Sequence, residues 1–186
     1  MTREEVKSII EEERKLYVPE QYRRMKYSHQ KRYLIWKTLA SFRMWQYWSE
    51  QRARTDLGRI QWYFAKFAFR YYFRQRNIYC EKSGVEISNK SVLGRRLNIW
   101  HGGVVISGHL GDDCVIHGNN IIGNKGDRGG KTPVLGDRVD VGAGAVVIGG
   151  ISVADDCIIG ANAVVNKDFN ENGSLIVGIP ASVKGK

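Results

Sequence analysis

Aliphatic residues recur at every sixth position along the last third of the chain. These positions are Leu135, Val141, Val147, Val153, Ile159 and Val165. Mostly small residues follow one place and four places after each of them. A six-residue period fits neither a 3.6-residue helix nor a two-residue strand alternation. It is typical of a solenoid whose triangular coils each contain three short strands, with the aliphatic side chains stacked inside.

The ladder continues upstream with one slip in register. The earlier rungs are Leu93, Ile99 and Val105 and, after a shift of one residue, Leu110, Ile116 and Ile122. Cys114 and Cys157 stand four places after a rung and are therefore predicted to be small core residues. The ladder breaks between Ile122 and Leu135, where the polar, glycine-rich segment 123–134 is predicted to leave the solenoid as a loop.

The first 80 residues show a helical pattern instead. Thr2 and Glu5 have the spacing of a capping box, which predicts a helix to about Leu16 that Pro19 interrupts. Residues 23–50 and 55–76 contain no proline and predict two long helices. We therefore expect a basic, aromatic-rich helical region over 1–80, a linker at 77–84, and a solenoid domain over 81–186.

The last of these helices is amphipathic. Its apolar and aromatic residues are Ile60, Tyr63, Phe64, Phe67, Tyr71 and Tyr72, and its cations on another face are Arg59, Lys66, Arg70 and Arg74. This pattern supports two interpretations. The aromatic residues could pack against the solenoid or a neighbouring subunit, with the cations in solvent. Alternatively, the helix could make a peripheral contact with an anionic membrane.

The net charge of +10 lies entirely in the first part of the chain. Residues 1–80 carry 18 Lys and Arg against 8 Asp and Glu, while the remainder carries 11 of each. Basic charge alone supplies only nonspecific nucleic-acid binding, and no recognisable nucleic-acid module frames these residues, so no nucleic-acid partner is predicted. No apolar run approaches the ~20 residues of a membrane span. The charged N-terminus lacks a signal peptide and the three cysteines indicate no disulfide framework, so we expect a cytoplasmic protein.

The four histidines limit the candidates for a general base. His29 and His109 are predicted at the surface, and His117 is a candidate for lining a site because it follows the rung Ile116. His101 stands in a glycine-rich corner about one coil after Glu86, so these two residues are predicted to be neighbours. The spacing of the last three histidines matches no compact zinc site, so no metal is predicted.

Segments 141–146, 159–164 and 178–181 resemble the hexapeptide-repeat acyltransferases, and the resemblance extends over about residues 85–186. It implies a mainly β fold, a left-handed parallel β-helix, preceded here by the α-helical region. The left hand comes from the resemblance, since most crossover connections are right-handed. The resemblance also implies acetyl-CoA as donor and a homotrimer that binds it between adjacent solenoids.

Within that family the chain is similar to the serine acetyltransferase branch, where an acidic residue in a Val-Asp-Ile segment supports a downstream histidine. Glu86 and His101 match those positions. The resemblance implies that His101 is the general base and that Glu86 holds its imidazole and stabilises the imidazolium. Two departures argue against serine as acceptor. Gly129 or, when the segments are aligned on Pro133, Thr132 stands where that branch has a second histidine, and the helical region has no obvious counterpart there.

A closer likeness is to the serine-acetyltransferase-like proteins of bacterial polysaccharide gene clusters, on segments 84–87, 101–103 and 125–128. It implies transfer of an acetyl group to a hydroxyl of a saccharide, either an exopolysaccharide or its precursor. Asp127, Arg128 and His117 are then the candidates for binding the acceptor. Serine is the alternative acceptor, and a noncatalytic β-helix scaffold of a membrane-associated assembly is the alternative from another class.

The donor site is assigned from the same family. Gly142, Ala143 and Ala161 match the small residues along which the pantetheine arm passes, and Pro180 belongs to the closing motif. Lys167 and Lys184 are candidates for attracting the nucleotide phosphates.

Overall fold

The computed structural model describes residues 1–18, 31–126 and 130–184. It divides into two compact units, Met1–Ser83 and Gly84–Lys186. The first unit contains helices α1 (Arg3–Tyr17), α2 (Lys31–Ala53) and α3 (Arg59–Ser83). The predicted break at Pro19, the predicted helix start at Arg23 and His29 lie outside the described residues.

The second unit is a parallel β-solenoid of short strands. They are β1 (Val85–Ile87), β2 (Val92–Leu93), β3 (Asn98–Ile99), β4 (Val104–Ile106), β5 (His109–Leu110), β6 (Val115–Ile116), β7 (Ile121–Gly123), β8 (Val134–Leu135), β9 (Asp140–Val141), β10 (Val146–Ile148), β11 (Ser152–Val153), β12 (Ile158–Ile159), β13 (Val164–Val165), β14 (Leu175–Gly178) and β15 (Ala181–Val183). Each strand from β4 to β13 pairs with the strand three places before it in the chain, and β14 and β15 complete the third sheet. The three sheets have the orders β1-β4-β7-β10-β13, β2-β5-β8-β11 and β3-β6-β9-β12-β14-β15. Only β15 pairs antiparallel among these strands. The predicted left-handed parallel β-helix is confirmed.

Stacked aliphatic residues fill the solenoid. The columns are Ile87, Ile106, Ile122, Val147 and Val165; Leu93, Leu110, Leu135 and Val153; and Ile99, Ile116, Val141, Ile159 and Ile176. All of them are buried, as are Cys114 and Cys157, so both cysteines are the core residues predicted from the period. Burial raises the pKa of the Cys114 thiol to about 11.

One predicted rung is wrong. Val105 is 38% exposed, whereas Val104 and Ile106 on either side are fully buried. Ile99 pairs with Ile116 and Ile106 pairs with Ile122, so the first coil has one more residue between these rungs than the second. The extra residue lies in the corner before β4 and moves the rung from position 105 to 106.

Aspartates stabilise the corners that precede the third sheet. The side chains of Asp112, Asp137 and Asp155 each accept a hydrogen bond from a backbone N–H of the adjoining coil, at 2.7–2.8 Å. The residue after each aspartate has a positive φ. Arginine and aspartate side chains at this corner position form ion pairs between neighbouring coils, Arg96 with Asp113 and Arg138 with Asp156. These contacts satisfy backbone groups that a tight corner would otherwise leave unpaired.

The helical unit begins with the predicted capping box. The Glu5 N–H donates to Thr2 Oγ1 at 3.2 Å, and the Thr2 N–H donates to Glu5 Oε2 at 2.7 Å. Deeper in the unit, the guanidinium of Arg43 on α2 donates to both carboxylate oxygens of Glu13 on α1, and both side chains are almost completely buried. The sequence pattern did not indicate this ion pair.

The bulky apolar residues of α3 do not form the core of the helical unit. Ala65 and Ala68 face the core with Val6, Met44 and Trp48. The predicted apolar residues Ile60, Tyr63, Phe64, Phe67 and Tyr71 are all exposed, and only Tyr72 is partly buried. Small residues at the contact let two helices approach closely, so the bulky residues remain outside.

The linker predicted at 77–84 is also wrong, because α3 continues to Ser83. No proline or glycine interrupts residues 77–83, and the Ser83 hydroxyl lies 2.9 Å from the hydroxyl of Thr38 on α2. Gly84, with φ of +69°, follows the last helical residue. Among the described helices, none has the length and apolar character needed to cross a bilayer.

Candidate active site

One edge of the solenoid collects five of the eleven predicted site residues. It consists of the corners between strands of the third and first sheets, residues 100–103, 117–120, 142–145 and 160–163. We call it the histidine edge. His101, His117, Ala143 and Ala161 lie on it in successive coils, because the backbone hydrogen bonds stack each corner on the next.

His101 projects from the corner with the extra residue. Its side chain is exposed, and its Cβ lies against Gly118 of the next coil. A Cβ added at Gly118, whose φ is +131°, would approach the His101 Cβ to 2.7 Å. Glycine at position 118 therefore makes room for the histidine, which leaves the imidazole accessible to solvent and to a substrate.

His117 lies in the next coil, beside the His101 corner, and contacts two other side chains. Its ring packs against the Trp100 indole with 4.2 Å between ring centroids. Its Nε2 lies 2.8 Å from Oδ1 of Asp140 on β9, but the two atoms are not aligned as a hydrogen bond. Trp100, His117 and Asp140 thus form a stacked cluster immediately next to His101.

Glu86 lies on the same side of the solenoid as this edge. It is the exposed middle residue of β1 and pairs with Val105 of β4, one coil away. The backbone carbonyl of Gly84 accepts hydrogen bonds from the N–H groups of Gly103 and Val104, in and just after the His101 corner. In the described part of the chain, no hydrogen bond or ion pair joins the Glu86 carboxylate to His101.

The donor candidates divide between edges. Three donor candidates lie on the histidine edge: Gly142, Ala143 and Ala161. Pro180 follows β14, which pairs with β12 just before Ala161. A Cβ at Gly142 would lie 2.7 Å from the backbone nitrogen of Ala161. Glycine at position 142 therefore lets the two coils stack closely, while Ala143 and Ala161 are exposed beside it.

The two candidate lysines lie elsewhere. Lys167 follows β13 at the next edge, with its ammonium 5.7 Å from the Phe169 ring centroid. Lys184 follows β15, and its N–H donates to the carbonyl of Leu175 at the start of β14. Within one chain, the solenoid does not bring either lysine to the histidine edge.

The loop between β7 and β8 leaves from the edge after the first sheet. Its candidate residues Asp127 and Arg128 lie outside the described residues, as does Gly129. The loop ends that are described pack on a glycine turn, with the side chain of Lys125 against Gly149 and that of Lys131 against Gly150. Within one chain, the described ends of the loop and His101 are therefore on different edges of the coil.

Three residues of this region were missed by the sequence interpretation. Asp140 was overlooked as a partner of His117, Gly118 as the residue that accommodates His101, and Trp100 as the ring that packs on His117. Trp100 and His117 occupy the same place in successive coils, a signal that the pattern already contained. In the described ranges, no group of three or more His, Cys, Asp and Glu residues could hold a metal ion.

Solved structures with the same fold are serine acetyltransferases. That of Neisseria gonorrhoeae has a TM-score of 0.70 at 24% identity, covering 98% of this chain and 68% of that chain. Its complex with serine gives 0.69 at 21%, covering 98% and 70%. That of Brucella abortus gives 0.72 at 20%, covering 99% and 70%. No protein-family model and no curated protein matches the chain.

This likeness establishes the fold: a left-handed β-helix of the serine acetyltransferase type, with helices before it. It also corrects one expectation. The superpositions cover 98–99% of this chain, so the helical region does have a structural counterpart in the serine acetyltransferases.

Proposed function

We propose that the protein is an acetyl-CoA-dependent O-acetyltransferase with its active site on the histidine edge. The observation that carries this proposal is the order of residues along that edge. A solvent-accessible histidine lies in one coil, and the small exposed residues Ala143 and Ala161 lie two and three coils further on. A base and a groove for an extended thiol ester are the two elements that this transfer needs.

In the proposed reaction, His101 removes the proton from the acceptor hydroxyl. The oxygen attacks the thioester carbonyl carbon, and backbone N–H groups stabilise the tetrahedral oxyanion. The carbon–sulfur bond then breaks, and the CoA thiolate takes up a proton. Glu86, on the first sheet that begins at this edge, supports the imidazolium electrostatically.

The comparisons favour serine as the acceptor. Several structures with this fold are serine acetyltransferases, and one of them contains serine. The saccharide acceptor is favoured by different observations. Gly129 replaces the second histidine of the serine-specific motif, and the 41% exposed Trp100 beside His101 offers an aromatic surface on which a sugar ring can pack. An assay with serine and with saccharides distinguishes the two acceptors.

Release of CoA thiol, measured with purified full-length protein, tests the activity and its acceptor together. We expect release that depends on serine or on a saccharide, and His101→Ala should lower turnover roughly 10²–10⁴-fold, as for loss of a general base. His109→Ala is the matched control, because His109 is exposed on another sheet. Near-normal turnover in His101→Ala would move the base to His117, whose carboxylate partner is already in place.

A homotrimer is part of the same proposal. A donor groove between solenoids would bring the edge carrying the 124–133 loop of one subunit towards the histidine edge of another. Outward valines at 92 and 134, both about half exposed, give the second sheet an apolar surface for such a contact. Sedimentation of the active protein as a monomer would eliminate this shared-site arrangement.

A further inference from the structure

The exposed side of α3 is unusual for a helix in water. Its large apolar side chains are at least 51% exposed, and they recur at spacings of three and four residues: Ile60, Tyr63, Phe64, Phe67 and Tyr71. Residues with this spacing form one stripe along a helix. We call it the aromatic face. A continuous apolar surface of this kind marks a site of interaction.

Cations border the aromatic face on one side. Arg59, Arg70 and Arg74 are exposed, and their spacing places them together along the helix beside Tyr63 and Phe67. Among the described residues, no carboxylate pairs with any of the three. The sequence contains no Asp or Glu between Asp56 and Glu81, so these charges are not neutralised locally.

The apolar surface continues past the start of α3. A cleft of about 520 Å³ lies between the end of α2 and the start of α3, lined by Trp48, Leu57, Ile60 and Phe64 among others. Its apolar lining extends the aromatic face towards α2 without adding an unpaired acid. The partner must therefore accept apolar rings and positive charge over the same area.

We propose that the aromatic face binds the surface of an anionic phospholipid membrane, with α3 lying in the plane of the interface. Rings of Phe and Tyr fit the boundary between headgroups and acyl chains, and adjacent cations are attracted by anionic headgroups. A second copy of the chain is the less favourable occupant, because it would oppose one set of unpaired arginines with another. This inference does not depend on the proposed acetyl transfer.

Sedimentation of the full-length protein with vesicles tests the proposal. We expect it to pellet with vesicles of phosphatidylcholine mixed with phosphatidylglycerol, and to remain in the supernatant with phosphatidylcholine alone. Raising the salt concentration should weaken the binding, since salt screens exposed charges.

Two variants separate the apolar and charged contributions. Phe67→Ser removes an exposed ring and should weaken binding roughly 10- to 100-fold, with Leu16→Ser on α1 as the control at another exposed apolar residue. The triple change Arg59→Gln, Arg70→Gln and Arg74→Gln should weaken binding about 100-fold, at roughly tenfold or less per cation. Lys7→Gln, Lys15→Gln and Lys90→Gln remove the same charge elsewhere and should have little effect.

These outcomes decide the proposal. It is overturned if the wild-type protein does not bind phosphatidylglycerol vesicles, or if the two α3 variants bind as well as their controls. Sedimentation velocity without lipid tests whether a second copy of the chain binds the aromatic face instead. If Phe67→Ser abolishes self-association and no vesicle binding is seen, the face belongs to a second copy of the chain. Circular dichroism confirms that each variant keeps its helices.

Discussion

The two units of this protein bury their apolar residues by different rules. In the solenoid, Val105 is 38% exposed while its neighbour Ile106 is fully buried, although both are aliphatic strand residues. In the helical unit, Ala65 and Ala68 are buried while Phe64 and Phe67 beside them are exposed. Coil register decides burial in the first case, and close approach of two helices decides it in the second.

The units also differ in how they hold charge. The arginine–aspartate pairs of the solenoid lie at exposed corners, whereas the Glu13–Arg43 pair is enclosed by the helices. Exposed pairs contribute little because water and salt screen them. A buried charge that loses its partner is costly. The same chemical pair should therefore respond very differently to substitution in the two units.

The largest effect is expected at the buried pair. Glu13→Ala removes the carboxylate that pairs with the buried Arg43 guanidinium, and should lower the stability of the helical unit by about 3–5 kcal/mol. Thermal unfolding followed by helical circular dichroism measures this loss. Replacing both residues at once, with Glu13→Met and Arg43→Leu, should restore most of it because no uncompensated charge remains.

Glu12→Ala is the control for this prediction. Glu12 is the adjacent, partly exposed acid of α1, and the Ser8 hydroxyl donates to its Oε1 at 3.3 Å. Its replacement should cost about 0.5 kcal/mol or less. Equal losses at positions 12 and 13 would show that the burial of the pair is not what matters.

The next prediction concerns the corrected rung of the solenoid. Ile106→Ala should destabilise the solenoid by about 2–5 kcal/mol, through lost burial and the cavity that remains. Val105→Ala, at the outward position one residue away, should change stability by about 0.5 kcal/mol. Denaturant unfolding measures the loss of stability in each variant. A larger loss in Val105→Ala than in Ile106→Ala would show that residue 105 is the rung.

Much of the solenoid was predictable because its period is regular. The rungs Ile116, Val141 and Ile159, and the core cysteines, follow from counting by six. The extra residue at the His101 corner could not be placed from the sequence. Counting by six shows that the rungs shift by one residue between Ile99 and Leu110, but it does not show at which corners residues are added or removed. The pairing of His117 with Asp140 required the register of the third sheet, which pairs Val115 with Asp140, 25 places further on.

The helical unit was less predictable. Helix positions and the Thr2 cap follow from local signals, but the buried Glu13 and the exposed Phe67 do not. Both depend on which helix surfaces meet, and a sequence pattern does not contain that information. The linker predicted at 77–84 failed for a similar reason, because contacts such as Ser83 with Thr38 extend the helix beyond its amphipathic segment.

A smaller effect is expected on donor binding at the histidine edge. Ala161 is exposed, so Ala161→Trp should preserve the fold while its bulk blocks the proposed groove. We expect affinity for CoA to fall about tenfold or more, which corresponds to a loss of roughly 1.4 kcal/mol. Calorimetry with CoA measures the affinity, and Asn166→Trp, at an exposed position beyond this edge, is the control. Unchanged affinity in Ala161→Trp would show that the donor binds elsewhere.

The smallest effect is expected at the exposed ion pairs, and acid reveals it. The Arg96 and Arg138 guanidinium groups lower the pKa of Asp113 and Asp156, chiefly through side-chain hydrogen bonds. Since the folded-state pKa lies below the unfolded value of about 3.9, the stabilisation is complete above that pH and is lost as the pH falls through the folded value. The stability difference between wild type and the double variant Asp113→Asn, Asp156→Asn should therefore shrink from neutral pH to acid. High salt should shrink it as well, because both pairs are exposed. Glu171→Gln, at an exposed acid outside these pairs, should differ little from wild type across the same pH range.

The contradicting outcome is a stability difference between wild type and the Asp113, Asp156 double variant that persists or grows in acid. It would show that these exposed pairs do not lose their contribution on protonation, and would remove the contrast between these corners and the buried Glu13–Arg43 pair.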